Sequence, residues 1–142
     1  MAGMIGRCLC GAVTVRVTDH APKDAGACHC RMCQRWSGGL FLCVDAPAAA
    51  VQAEGPVTHY ASSSFSERAF CATCGSHLYM RDLDEGAGYD LMPGLFDELK
   101  GMALTSEIYT DEAYAMVRLA GEHKRATAAE YRARRPRVEG AS

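Results

Sequence analysis

Apolar and polar residues alternate with a period of two in the first part of the chain, most clearly where Val13, Val15 and Val17 are interleaved with Thr14, Arg16 and Thr18. That period gives an extended segment one apolar and one polar face, the pattern of a half-buried strand. Runs rich in apolar, β-branched and aromatic residues at 40–44, 57–62, 68–71, 78–81 and 89–92 predict further strands. Glycine and proline punctuate the intervals between them. The alanine-rich stretch 46–50, with Pro47 inside it, reads as a loop leading to Val51. A helical signal comes only near the end, where Thr127-Ala128-Ala129-Glu130 has the spacing of a capping box. It predicts a short helix running to about Arg135, before Pro136, and a frayed tail from Arg137. The chain reads as one domain over residues 1–142, mainly β with a short C-terminal helix, with no internal repeat or linker.

Seven of the eight cysteines fall into three clusters cut across this pattern: Cys8-x-Cys10, Cys28-x-Cys30-x-x-Cys33 and Cys71-x-x-Cys74. Thiolates that share a tetrahedral zinc at ~2.3 Å from each sulfur lie roughly 3.8 Å apart. Side chains two residues apart in a flat strand sit about 7 Å apart, so Cys8 and Cys10 require a bend, which Gly11 can supply. Cys71-Ala72-Thr73-Cys74-Gly75 has the zinc-knuckle pattern, with a glycine where the backbone leaves the turn. By ligand count, the two pairs make a closed four-cysteine site. The triplet leaves a tetrahedral ion one position short, the arrangement of an open, reactive site. A competing pairing gives the triplet a fourth ligand from Cys43, His29 or His77.

Composition changes this picture in a few ways. A disulfide framework belongs to small exported domains, and residues 1–7 show no basic region followed by an apolar run, so the expected setting is cytoplasmic. The cysteine spacings match no common ferredoxin pattern. With 142 residues, 49% of them hydrophobic, the chain is long enough to bury an ordinary core, and no apolar stretch approaches the ~20 residues of a membrane helix. The formal net charge is −2, and thiolates holding two Zn2+ ions would make it more negative, which argues against general nucleic-acid binding.

Three segments together resemble the glutathione-dependent formaldehyde-activating enzyme family, which includes centromere protein V. They are Cys8-Leu9-Cys10-Gly11-Ala12-Val13, the run Cys28-His29-Cys30-Arg31-Met32-Cys33-Gln34-Arg35-Trp36-Ser37-Gly38, and Arg68-Ala69-Phe70-Cys71-Ala72-Thr73-Cys74-Gly75-Ser76-His77-Leu78-Tyr79. Further on, Glu107-Ile108-Tyr109 and Asp111 are similar to its C-terminal half, and Gly94-Leu95-Phe96-Asp97 matches it loosely. The resemblance implies a zinc-stabilised β-tent of antiparallel sheets. It also implies a structural ion held by Cys8, Cys10, Cys71 and Cys74 and a catalytic ion held by Cys28, Cys30 and Cys33, two Zn2+ per chain. The implied activity is that of a carbon–sulfur lyase or synthase joining glutathione and formaldehyde as S-hydroxymethylglutathione. Gln34, Ser37 and Gly38 belong to the matching motif and are expected to line the substrate pocket, or else to form a polar turn that orders the triplet.

Other candidates have competing readings. Cys43, within Leu40-Phe41-Leu42-Cys43-Val44, reads as a buried, inert thiol. His29, between two ligands, should point away from them in an extended backbone. His77 reads as a sheet histidine, Trp36 as a packing anchor, and Ser76 as either pocket or turn; His20, His59 and His123 carry no motif. The basic run from Lys124 to Arg137 reads as a solvated helix face, with nucleic-acid contact as the alternative. The sequence thus points to a zinc enzyme whose partner is a small thiol, glutathione or a conjugate, with no membrane partner. A non-catalytic zinc-stabilised binding module is the second reading.

Overall fold

A computed structural model describes residues 3–136; the tail read from Arg137 lies outside them. The described chain forms two compact units, one comprising residues up to Lys23 with Cys43–Met102, the other Asp24–Leu42 with the residues from Ala103 onward.

In the first unit, β1 (Met4–Arg7), β2 (Thr14–Val17) and β5 (Val51–Glu54) form an antiparallel sheet with β2 in the middle. The valine alternation decides its orientation: Val13, Val15 and Val17 are at most 1% exposed while Arg16 faces solvent. A second antiparallel run joins β4 (Phe41–Ala46, of which Cys43–Ala46 belong to this unit), β9 (Tyr89–Leu91), β8 (His77–Asp82), β7 (Ser66–Cys71) and β6 (Val57–Ala61), in that order. Its core is built on Val44, Ala69, Leu78 and Leu91, joined by Phe96. The five strand segments predicted here fall on β4, β6, β7, β8 and β9. Residues 46–50 differ from the expected loop: Ala48–Ala50 wind into one 3-10 turn after Pro47, which precedes the turn as an extended N-cap, and the Val51 N–H closes it on the Ala48 carbonyl.

Register in the β7–β8 ladder shifts between Ala69, opposite Tyr79, and Phe70, opposite His77. Two residues of β8 thus face one of β7, a bulge that bends the pair just before the chain enters Cys71-x-x-Cys74.

The second unit contains β3 (Ala25–Cys28), α1 (Arg31–Ser37), β10 (Ser106–Ile108), β11 (Lys124–Ala126) and α2 (Ala128–Arg134). Here the ladders are parallel: β10 lies between β3 and β11, with Ile108 opposite both Cys28 and Ala126. Parallel pairing needs a long crossover, which residues 109–123 supply between β10 and β11. The predicted C-terminal helix is present as α2, with both halves of the capping box made between Thr127 and Glu130.

Candidate metal centres and their supports

In the first unit the backbone turns twice to gather four sulfurs. Gly11, at φ +80°, allows the chain to fold back after Cys10, and Gly75, at φ +78°, does the same after Cys74. Cys8, Cys10, Cys71 and Cys74 then offer sulfurs that all lie within 4.8 Å of one another. The Cys8–Cys10 and Cys10–Cys71 sulfurs are 3.6 and 3.9 Å apart, bracketing the edge of a zinc–thiolate tetrahedron. Backbone N–H groups aim at these sulfurs: Val13 at Cys8 over 3.2 Å, Ala12 at Cys10 over 3.5 Å, and Thr73 and Cys74 at Cys71 over 3.4 and 3.5 Å. Donors converging on sulfur favour the thiolate.

Ser76 completes that shell. Its hydroxyl oxygen accepts from the Leu9 N–H at 3.0 Å, which leaves its own proton free to point at the Cys74 sulfur 3.2 Å away. The hydroxyl, followed by backbone hydrogen bonds at Ser76 and Cys10, lowers the Cys74 thiol to about 5. At Cys10 the Ala12 N–H acts in the same direction, but burial and the thiols of Cys8, Cys74 and Cys71 outweigh it and hold the group at about 11. Cys8 is lowered: burial opposes ionisation, and the Val13 N–H and the thiols of Cys10 and Cys71 overcome it. Some members of the set give up protons readily and others resist, because like charges so close repel. A divalent cation removes that conflict, so the donor set fits a closed zinc site.

The second unit gathers the triplet through α1, a helix the sequence did not disclose. Cys30 is its N-cap, with its sulfur accepting from the Cys33 N–H at 3.4 Å, and Gly38 closes it at φ +92°. This single turn brings Cys30 and Cys33 alongside Cys28 at the end of β3, with all three sulfurs within 4.8 Å of one another. Hydrogen bonding to Cys30 and Cys33 raises Cys28 far above the ordinary thiol range, and burial and the charges of both neighbours add to it. Three thiols that obstruct one another's ionisation fit a cation held by three protein sulfurs. Among the described residues neither group includes a histidine, carboxylate or Cys43. Cys43 is half-buried, and His77, half-buried on β8, is lowered by burial and then by Arg68.

Behind the triplet is a polar assembly without a sequence motif. His29 is fully buried, and its Nε2 lies 2.6 Å from Glu107 Oε2; the Nε2 of His123 lies 2.8 Å from Glu107 Oε1. A carboxylate only accepts, so both imidazoles carry their proton on Nε2 toward it. Arg125 Nε adds an ion pair at 3.4 Å. Burial tends to raise the Glu107 carboxyl, but the hydrogen bonds from His123 and His29 bring it below its ordinary value. His29 thus turns away from the sulfurs, as an extended backbone requires, and anchors the segment that carries Cys28 and Cys30.

The three residues expected to line a substrate pocket have identifiable structural partners. Gln34 Nε2 donates to the Glu112 carbonyl at 2.8 Å, Ser37 Oγ accepts from the Gly39 N–H at 3.4 Å, and Gly38 is the helix cap. Trp36 packs on Phe41 with ring centroids 6.2 Å apart, as a packing anchor should. Tyr109 carries no catalytic motif of its own. It is 3% exposed and adopts a left-handed backbone at φ 58°, uncommon for an aromatic residue and a mark of functional or packing constraint. Its ring meets Tyr131 at 5.7 Å and Arg132 at 5.4 Å. Burial raises its hydroxyl; Arg132 opposes, and the charges of Cys30 and Cys28 add to the rise.

A small, mainly β protein with one four-thiol and one three-thiol cluster defines a class of protein with two candidate metal centres. Within that class the chain belongs to the glutathione-dependent formaldehyde-activating enzyme family, whose model matches residues 3–112. An uncharacterized lyase of Schizosaccharomyces pombe is 32% identical over 110 residues, covering 75% of this chain and 78% of that protein. A Halomonas elongata protein with the provisional name glutathione-dependent formaldehyde-activating enzyme is 33% identical over 86 residues, 54% of this chain and 55% of the other. A crystal structure of a Rhodobacter sphaeroides protein shares the fold at a TM-score of 0.54 and 20% identity, covering 86% of this chain and 99% of that one. No helix among the described residues is long and apolar enough to cross a membrane.

Proposed function

We propose that this protein is a zinc-dependent lyase-type enzyme that adds the sulfur of glutathione, or a closely related thiol, to the carbonyl carbon of formaldehyde and catalyses the reverse cleavage. Family membership supports the lyase and glutathione parts of this reading. The observation that carries it is the unequal ligand count: Cys8, Cys10, Cys71 and Cys74 complete a tetrahedral set, whereas Cys28, Cys30 and Cys33 leave one position for a ligand from outside. The first set is assigned a structural zinc and the second a catalytic one. When bound there, zinc supplies Lewis acidity that favours the deprotonated form of a coordinating thiol.

The chain's own residues then perform the remaining tasks. In the addition a C–S bond forms, the carbonyl π bond breaks, and the proton lost by the thiol ends on oxygen. Tyr109 is assigned as the hydrogen-bond donor to that oxygen. Its hydroxyl stays protonated near neutral pH, since an ordinary phenol titrates near 10 and burial raises this one further against the opposing Arg132. Gln34, through Glu112, and His29, through Glu107, hold the two segments that flank the triplet. Gln34, Ser37 and Gly38 are assigned to shaping the pocket wall, with their backbone partners fixing it.

Exchange NMR on an equilibrium mixture of glutathione and formaldehyde tests the reading, using protein with its zinc content measured. Wild type should accelerate interconversion, Cys33→Ala should not, and a folded Tyr109→Phe should be roughly 10- to 100-fold slower. No acceleration by wild type carrying two zincs per chain would rule out this reaction.

A further inference from the structure

Lys124 and Arg134 have no place in the site described above, yet they line a groove next to its strands. Parallel neighbours in register project to the same face of a sheet. The partners Cys28, Ile108 and Ala126 therefore form one row, and Gly26, Ser106 and Lys124 the next row on that face. Glu107 and Arg125 occupy the other face with His29 and His123, as their contacts require.

Ile108 and Ala126, the outer two residues of the row, border a groove of about 550 Å3 whose other walls include Lys124 and, from α2, Tyr131 and Arg134. The charged side chains that line it are Lys124, Arg134 and Glu130; Glu107 and Arg125 also border it, but their side chains meet each other on the opposite face of the sheet. Glu107 holds two imidazoles and Arg125, while Glu130 accepts from the Thr127 N–H at 2.8 Å and also feels the Arg134 charge. Lys124 and Arg134 are exposed. They also lie beyond the family match at residues 3–112, so their charge belongs to this chain's own C-terminal segment.

We propose that this groove binds the carboxylates of a peptide-sized thiol, with Lys124 and Arg134 as the recognition charges and the sulfur directed along the Cys28–Ile108–Ala126 row to the triplet. The dimensions agree. Two strand spacings of ~4.8 Å carry the row about 10 Å, close to the length of an extended tripeptide. The proposal deepens the thiol-lyase reading and rests on it: it makes the second unit a selector for anionic thiols over small uncharged ones.

Titration calorimetry on zinc-loaded wild type and on the double variant Lys124→Ala/Arg134→Ala tests it with three probes. Both side chains are exposed, so the variant should keep the wild-type circular dichroism spectrum. Glutathione should bind the variant about tenfold more weakly, as expected for loss of two exposed charge contacts, while 2-mercaptoethanol should bind both proteins alike. S-methylglutathione, which keeps the carboxylates but has no thiol, should bind wild type weakly and lose that binding in the variant. Equal glutathione affinity for the two proteins would overturn the groove and leave the thiol reading intact. Charge-dependent S-methylglutathione binding with no thiol binding would keep the groove and overturn the thiol reading. No binding of any probe to wild type would overturn both.

Discussion

Ser76 and Glu107 each stabilise a cysteine cluster through hydrogen bonds that the sequence does not announce, and their substitutions separate the two centres. Ser76→Ala removes both the acceptor for the Leu9 N–H and the hydroxyl facing Cys74. Outer groups that orient metal ligands are worth roughly 10- to 100-fold in affinity, so zinc at the four-cysteine cluster should be lost at about tenfold lower chelator concentration. A competition assay with a chromogenic chelator reads this directly, and an unchanged release profile would deny Ser76 the role. Glu107→Ala leaves the buried Nε2 donors of His29 and His123 without their acceptor, which should cost about 2–4 kcal/mol in urea unfolding. Glu107→Gln keeps one acceptor oxygen and should cost about half as much. A Gln variant as unstable as Ala would mean that the charge, rather than the hydrogen bonds, matters.

Among elements, α2 shows the closest agreement between sequence and structure, because its start signal is local: Thr127 accepts from the Glu130 N–H, and the Glu130 carboxylate accepts from the Thr127 N–H. That second bond lowers the Glu130 carboxyl below its ordinary value of 4.5. A carboxyl whose folded pKa lies below its unfolded one contributes stability that is complete above the unfolded value and vanishes as pH falls through the folded one. The melting-temperature gap between wild type and Glu130→Ala should therefore be constant from neutral pH down to about 5 and narrow on further acidification. A gap that widens in acid would contradict the capping box. The strands at 57–61, 66–71 and 77–82 were legible for a similar reason, since β-branched and aromatic residues mark them. β3, β10 and β11 were not. Each has three or four residues, Ala25-Gly26-Ala27 has no strand preference of its own, and their hydrogen bonds come from partners such as Thr105 and Ala25, 80 positions apart. Helix α1 escaped because its N-cap is a cysteine, which sequence rules for capping do not rank.

At the scale of the whole molecule, the sulfur clusters were legible because each is made of near neighbours on a turn. Their supports were not, because Glu107 reaches His29 across 78 positions and Ser76 reaches Leu9 across 67. The same distinction sets how the two clusters should respond to metal loss. The four-cysteine set ties residues 8–10 to 71–74, and Cys71 is fully buried at the end of a core strand. A structural zinc can contribute ~10–16 kcal/mol of apparent binding energy, as much as the whole stability of a typical domain. The triplet, by contrast, joins residues 28–33 of one strand–helix turn, and its unit also has the Glu107 assembly and the α2 cap, hydrogen bonds in which no ion takes part. Cys71→Ser should therefore lose one zinc per chain together with amide-exchange protection across β7 and β8, while Cys33→Ala should lose one zinc and retain that protection. Protection lost equally in both variants would mean that the triplet also holds the fold together. It would remove the division into a structural and a reactive centre on which the proposed chemistry depends.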